Sequence, residues 1–172
     1  MGILVVAAVA TLIGFGLILL IGRNQPVSPA APENLLRGDL TDSAWVRRYG
    51  VEGLQRLLVM LFTEMGFAPE RCERGGSTVD LFANDPTPIR GGRIYVHGIL
   101  GGAQPVDGDE VRNLIDTARA EFVGKGIYVT LGRFSSDARD TAKGAPIDLL
   151  DGDELGKLMR KHLPQAFATR KI

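Results

Sequence analysis

Asp80 and His97 are the two residues whose types and surroundings best suit chemistry in this sequence. Asp80 stands in Gly-Gly-Ser-Thr-Val-Asp-Leu-Phe-Ala (residues 75–83), and His97 in Arg-Ile-Tyr-Val-His-Gly-Ile (residues 93–99). Both segments have the composition of strands, and Asn-Asp-Pro and Gly-Gly turn signals separate them. We therefore expect two adjacent strands that place the acid opposite the histidine.

Simpler interpretations of the same residues stay open. An aspartate at the end of a strand is often held by backbone N–H groups or an arginine, and His97 could be a strand residue with one satisfied hydrogen bond. The pair could bind zinc or manganese, but two His and the single Cys72 give no zinc-site spacing and no visible third ligand. Ser135 is better explained as a helix N-cap than as a nucleophile.

Helices and further strands must position these two residues. The chain predicts a short helix to Tyr49 interrupted by Gly50, a helix over residues 51–65, three strands, a helix from Asp107, a strand, a short helix, a strand and a last helix. The helix from Asp107 has an apolar face at i, i+3, i+4, i+7 and i+11, formed by Val111, Leu114, Ile115, Ala118 and Phe122. Pro69 indicates that the first strand lies at an edge of the sheet.

Several segments match a known family in their order and spacing. They are residues 57–67, which end in Met-Gly-Phe, and residues 75–83, 111–114, 127–139 and 147–155. Over residues 45–163 the chain resembles the Mrr-like branch of the restriction endonuclease-like superfamily. The resemblance implies an α/β fold, with an α-β-β-β-α-β core whose mixed sheet is flanked by helices.

The resemblance also implies a site and its chemistry. Members of the family cut DNA with an Asp on one strand, a Glu or Gln and a Lys two residues apart on the next, and a Glu on the first helix. Their carboxylates bind Mg²⁺, which activates water and polarises the phosphate. Asp80 matches the first acid, but His97 stands at the Glu/Gln position and Ile99 at the Lys position. The helix position falls on Gln55 or Glu52, so the site is interpreted as degenerate.

Charge segregates along the chain although its total is balanced. Lys plus Arg and Asp plus Glu number 20 each, so no basic excess indicates a nucleic-acid partner. No acidic residue follows Glu154, whereas five basic residues do: Lys157, Arg160, Lys161, Arg170 and Lys171. These residues form either the solvated face of the last helix or a surface that contacts anionic lipid headgroups.

Residues 3–21 carry no charge and are dominated by apolar residues, which predicts a single transmembrane helix. A cleaved signal peptide is the alternative, with residues 28–30 as a passable cleavage site. Positive charge follows the span, so we expect the N-terminus outside and the domain in the cytoplasm, at the cell's inner membrane. We predict a Pro-rich linker over residues 22–40, the endonuclease-like domain over 41–163 and a basic tail over 164–172.

Three functions remain as hypotheses. The first is a membrane-anchored domain of the endonuclease fold that is catalytically inactive and binds DNA or a protein, with no cofactor. The second is an active Mg²⁺-dependent DNA endonuclease in which another residue, such as Arg93, replaces the missing lysine. The third is a module that senses lipid or a partner without nucleic acid. The sequence leaves the oligomeric state open.

Overall fold

The computed structural model of the protein describes residues 44–89 and 91–164, with the backbone alone for residues 44–49. In chain order the elements are α1 (Ala44–Glu64), β1 (Ala68–Gly75), β2 (Thr78–Asp85), β3 (Gly92–Ile99), α2 (Gly108–Ala120), β4 (Lys125–Thr130), α3 (Ser136–Ala142), β5 (Ile147–Leu150) and α4 (Gly152–His162). This order agrees with the predicted one and contains the expected α-β-β-β-α-β core.

The five strands form one mixed sheet in the order β1-β2-β3-β4-β5. β1, β2 and β3 are antiparallel neighbours, whereas β3, β4 and β5 run parallel and need the crossover helices α2 and α3. β1 lies at the edge, as Pro69 predicted, and its pairing with β2 shifts register between Pro69 and Arg71. The fold is therefore an α/β sheet with helices on both sides.

Strand alternation divides the interior between the two sides of the sheet. On the first side, α1 and α4 pack on a cluster that includes Val79, Leu81, Val96, Ile127 and Val129. On the second side, α2 and α3 pack on a cluster that includes Phe82, Tyr95 and Tyr128. The cluster on the first side is mainly aliphatic, while the second includes several aromatic side chains.

Helix boundaries follow the predicted local signals except at the end of α2. α1 is interrupted at Gly50, whose φ of 60° and ψ of −149° are not helical. Asp107, Ser135 and Asp151 each accept a backbone N–H at the start of α2, α3 and α4. The placement of Phe122 on the apolar face of α2 is wrong. The helix ends at Ala120, and Phe122 is 91% exposed with a φ of 53°.

The predicted transmembrane helix of residues 3–21, the linker of residues 22–40 and most of the basic tail lie outside the described residues. Among the helices that the structure does describe, none has both the length and the apolar character needed to cross a bilayer.

Candidate functional site

Asp80 and His97 are direct neighbours across β2 and β3, as the sequence predicted. Tyr95 stands two residues before His97 and therefore points to the same side of the sheet, toward α2. In the parallel pair of β3 and β4, His97 is opposite Tyr128. Three adjacent strands thus place Asp80, His97 and Tyr128 in one row on the second side of the sheet, and Tyr95 lies in the next row on that side.

Asp80 is the centre of a compact hydrogen-bond cluster. Its Oδ1 atom accepts the Tyr95 hydroxyl at 2.5 Å and lies 2.7 Å from Nδ1 of His97. Partial burial raises the pKa of Asp80, but the hydrogen bonds from His97 and Tyr95 outweigh it and hold this pKa below its ordinary value. The carboxylate is therefore ionised at neutral pH, and His97 donates to it from a protonated Nδ1.

Aromatic packing fixes the orientation of this cluster. The Tyr95 ring stacks on Phe82 with centroids 4.8 Å apart, and the His97 ring meets the edge of Tyr128 at 5.0 Å. Burial and the hydrogen bond to Asp80 raise the pKa of Tyr95, so its hydroxyl stays a donor. These contacts hold the ring of His97 with its Nδ1 atom toward Asp80.

Negative charge surrounds the neighbouring Tyr128. Burial raises the pKa of its hydroxyl, and the carboxylates of Glu110, Asp107 and Asp80 raise it further. Asp107 and Glu110 belong to the capping box that starts α2. Since α2 begins next to the ends of the parallel strands, its first turn brings this negative charge to the second side of the sheet.

The position that the resemblance assigns to lysine is apolar in the structure. Ile99 pairs with Thr78 and Thr130, and it packs partly buried against the cluster under α2. Arg93, the predicted replacement, is four residues from His97, which is roughly 13 Å along a strand. Its guanidinium binds Glu70 at 3.1 Å and the backbone oxygen of Glu121 at 3.2 Å. The structure therefore does not bring Arg93 to Asp80.

The two candidates for the helix glutamate also lie apart from Asp80. Gln55 donates to Sγ of Cys72 at 3.5 Å, and Cys72 pairs with Leu81, whose side chain is on the first side of the sheet. Glu52 forms an exposed ion pair with Arg56 one turn along α1. Neither residue hydrogen-bonds to the Asp80 cluster.

The donor set around Asp80 does not fit Mg²⁺. This ion prefers six oxygen ligands in octahedral geometry, and neutral imidazole is a poor ligand for it. The cluster supplies one carboxylate, and that carboxylate already accepts two hydrogen bonds on Oδ1. Among the residues with described side chains, no three His, Cys, Asp or Glu residues lie close enough to share a metal ion.

The fold agrees with a family relationship found by comparison with known proteins. The Mrr_cat restriction endonuclease family matches residues 46–159 of the chain. The chain belongs to the Mrr restriction endonuclease family. No curated protein matches it.

Solved structures of restriction endonucleases resemble this Mrr-family chain. The DNA modification-dependent restriction endonuclease AspBHI is 19% identical, with a TM-score of 0.53, over 84% of this chain and 43% of that one. MspJI restriction endonuclease, solved in complex with a 27-mer oligonucleotide, is 22% identical with a TM-score of 0.47, over 83% of this chain and 34% of that one. The chain thus spans less than half the length of either protein. The likeness to AspBHI confirms the restriction endonuclease-like fold.

Sequence reasoning missed the role of Tyr95. The phenol is the second donor to Asp80, and the signal was its i, i+2 spacing to His97 on one strand. The interpretation of Ser135 as an N-cap is confirmed, because its Oγ accepts the backbone N–H of Ala138 at 3.0 Å. Asp80 is held by a tyrosine and a histidine rather than by backbone N–H groups or an arginine.

Proposed function

We propose that this Mrr-family chain is a membrane-anchored binding module that does not cleave DNA. The observation that carries the proposal is the use of Asp80: the carboxylate that would bind metal instead accepts hydrogen bonds from Tyr95 and His97. Ile99, at the lysine position, can neither carry charge nor orient water. Loss of one preorganised charge stabiliser costs on the order of 100- to 1,000-fold in rate.

The surroundings of the cluster favour a protein partner over DNA. Binding to DNA depends on free Lys and Arg side chains that neutralise phosphates. On this side of the sheet, Arg71 is paired with Glu121 and Arg93 with Glu70. The acidic start of α2 adds negative charge near Tyr128. A partner of this surface would supply hydrogen-bond donors or basic side chains.

Membrane anchoring is the second part of the proposal, and it rests on the uncharged residues 3–21. The basic residues that follow them favour a domain on the cytoplasmic side. Alkaline carbonate extraction of membranes tests the anchor: the full chain should stay with the lipid. Protease added to intact cells should spare the domain, and cleavage within residues 44–164 would contradict the orientation.

Plasmid cleavage is the test of the missing activity. The full chain with Mg²⁺ or Mn²⁺ should cut supercoiled DNA no faster than the Asp80→Ala variant. Metal-dependent cutting that Asp80→Ala abolishes would show an active nuclease and overturn the proposal.

A restored site sharpens this assay. His97→Gln with Ile99→Lys replaces both substituted positions by the residues that the family uses, and adding Tyr95→Phe removes the competing donor to Asp80. Cutting by this triple variant, and not by the matched Tyr95→Phe variant, would locate the loss of activity in these positions.

A mobility-shift assay then separates the two classes of partner. We expect no salt-dependent shift of a DNA duplex by the full chain in detergent, since its positive side chains near the cluster are already paired. A shift that weakens steeply with salt would make DNA the partner.

A further inference from the structure

The outer face of α4 carries three basic side chains in a surface that we call the α4 basic face: Lys157, Arg160 and Lys161. They stand at i, i+3 and i+4 and therefore share one face of the helix. All three are exposed. Within the described side chains, none of the three is in an ion pair, whereas most other Lys and Arg residues there are.

The opposite face of the same helix anchors α4 to the sheet. Leu155, Met159 and Leu163 are buried in the cluster that α1 also covers. This packing leaves the α4 basic face pointing away from the sheet, on the first side. The three side chains therefore project from one face of a packed helix into solvent.

We propose that the α4 basic face lies against an anionic lipid surface. The inference rests on the membrane anchor of the proposed function, since the predicted span would hold the domain beside a bilayer. The linker leads into α1, which lies on the same side of the sheet as α4. A Pro-rich segment reaches about 3.1 Å per residue, so the sequence from residue 22 to residue 43 is long enough for this side to meet the membrane.

The position of the α4 basic face disfavours a nucleic-acid partner. Asp80 and His97, at the positions that the resemblance assigns to DNA cleavage, face the second side of the sheet with Tyr95, whereas α4 is on the first side. Arg170 and Lys171 follow in the sequence without an intervening acid. The charge that continues beyond α4 is therefore of the same sign.

Amine labelling of the full chain tests this inference with the lysines as reporters. The chain is inserted into vesicles of phosphatidylcholine, with or without phosphatidylglycerol, and labelled with an amine-reactive reagent before peptide mass spectrometry. One basic residue near an anionic surface contributes about 1 kcal/mol, or roughly a fivefold change. We expect Lys157 and Lys161 to react at least fivefold more slowly in anionic vesicles at low salt. This difference should vanish at about 1 M salt, where the Debye length is about 3 Å.

Lys143 is the reference lysine for the labelling reaction. It follows α3 on the second side of the sheet, away from the α4 basic face, and it is paired with Asp140. Its labelling should be equal in both kinds of vesicle. Equal labelling of Lys157 and Lys161 in both kinds would overturn the proposal. Protection of these two lysines by a DNA duplex in detergent, without lipid, would overturn it in favour of nucleic acid.

Two arginine variants distinguish lipid contact from a purely structural role. Cations in the last turn of a helix also stabilise its dipole, and both Arg160 of α4 and Arg119 of α2 stand there. In anionic vesicles, Arg160→Gln should raise the labelling of Lys157 and Lys161 about fivefold. The matched Arg119→Gln variant should leave it unchanged; equal effects of the two variants contradict lipid contact.

Sedimentation with the neutral vesicles tests the anchor separately, because the α4 basic face gains nothing from uncharged lipid. A chain that stays in the supernatant contradicts the anchor. The labelling of Lys157 and Lys161 in anionic and in neutral vesicles tests separately whether the α4 basic face contacts lipid.

Discussion

The first side of the sheet, under α1 and α4, and the second side, under α2 and α3, are built from the same strands but hold different chemistry. On the first side, Val79, Leu81 and Val96 are buried in a cluster of apolar side chains. On the second side, the intervening residue Asp80 is hydrogen-bonded to Tyr95 and His97, and the His97 ring in turn meets Tyr128. Both sides bury apolar side chains that stabilise the fold, and the second also holds the positions that the resemblance assigns to cleavage.

The difference teaches how a partly buried carboxylate is accommodated within a sheet. Asp80 is partly buried and therefore needs hydrogen-bond donors. Tyr95 and His97 supply them, so the carboxylate is stabilised within the sheet. A carboxylate that satisfies its hydrogen bonds internally has less capacity to bind a metal ion.

The largest expected effect on the free energy of unfolding comes from substitutions on the first side, where Leu58 packs over Gly98. Leu58 is fully buried, and a Cβ atom on Gly98 would stand 2.6 Å from its Cδ1 atom. Leu58→Ala should lower the free energy of unfolding by about 2–5 kcal/mol, measured by urea unfolding in mild detergent. Gly98→Ala should cost about 1–3 kcal/mol, because the new methyl group meets Leu58.

Combining the two substitutions tests whether these atoms are in contact. Leu58→Ala opens space beside Gly98, so Gly98→Ala should cost clearly less in that background than in the wild type. Simple additivity of the two losses would contradict the packing of Leu58 on β3.

On the second side, Asp80→Ala should cost about 1–3 kcal/mol, because it leaves the Tyr95 hydroxyl and His97 Nδ1 without their acceptor. Glu73 is the matched control, since it is paired with Asp80 across β1 and β2 and its side chain is 60% exposed. Glu73→Ala should change the unfolding free energy by less than about 0.5 kcal/mol. Equal losses for the two variants would show that the Asp80 cluster contributes nothing to stability.

Substitutions of Ser135, at the start of α3 on the second side, test whether this residue is a helix N-cap. Ser135→Ala should lower the unfolding free energy by about 1 kcal/mol, since the N–H of Ala138 loses its acceptor. Ser135→Asp should retain most of this stability, because aspartate is as good an N-cap. A full loss in both variants would argue against the cap.

The elements and the pairing of Asp80 with His97 could be predicted because they depend on local signals. Apolar spacing, N-cap residues and glycines indicated the helices, and alternation indicated the strands. The contact of Tyr95 with Asp80 could not be predicted in the same way. It depends on the direction in which the Tyr95 ring turns, and the stacking of this ring against Phe82 is a tertiary feature.

At Phe122 a local pattern gave a wrong prediction, because it placed an exposed residue on the apolar face of α2. The i+11 spacing extended the apolar face of α2 by one turn. In the structure the backbone turns into the left-handed region at Phe122, so that the chain can enter β4, and the ring stays exposed. The requirement to return to the sheet outweighs the burial of one aromatic side chain, and periodicity carries no information on that requirement.

The smallest expected effect is the pH dependence of the Asp80 cluster. Asp80→Asn keeps an acceptor but loses the charge, and charged hydrogen bonds are roughly twice as strong as neutral ones, so we expect a loss of about 1 kcal/mol at pH 7. The pKa of Asp80 is lower in the folded chain than in the unfolded one, where it is about 3.9. The wild type's advantage over Asp80→Asn should therefore be complete above pH 5 and shrink as the pH falls below about 4. Urea unfolding between pH 7 and pH 3 measures it, with Glu73→Gln as control. An advantage that persists undiminished at pH 3 would mean that the charge on Asp80 is not its source.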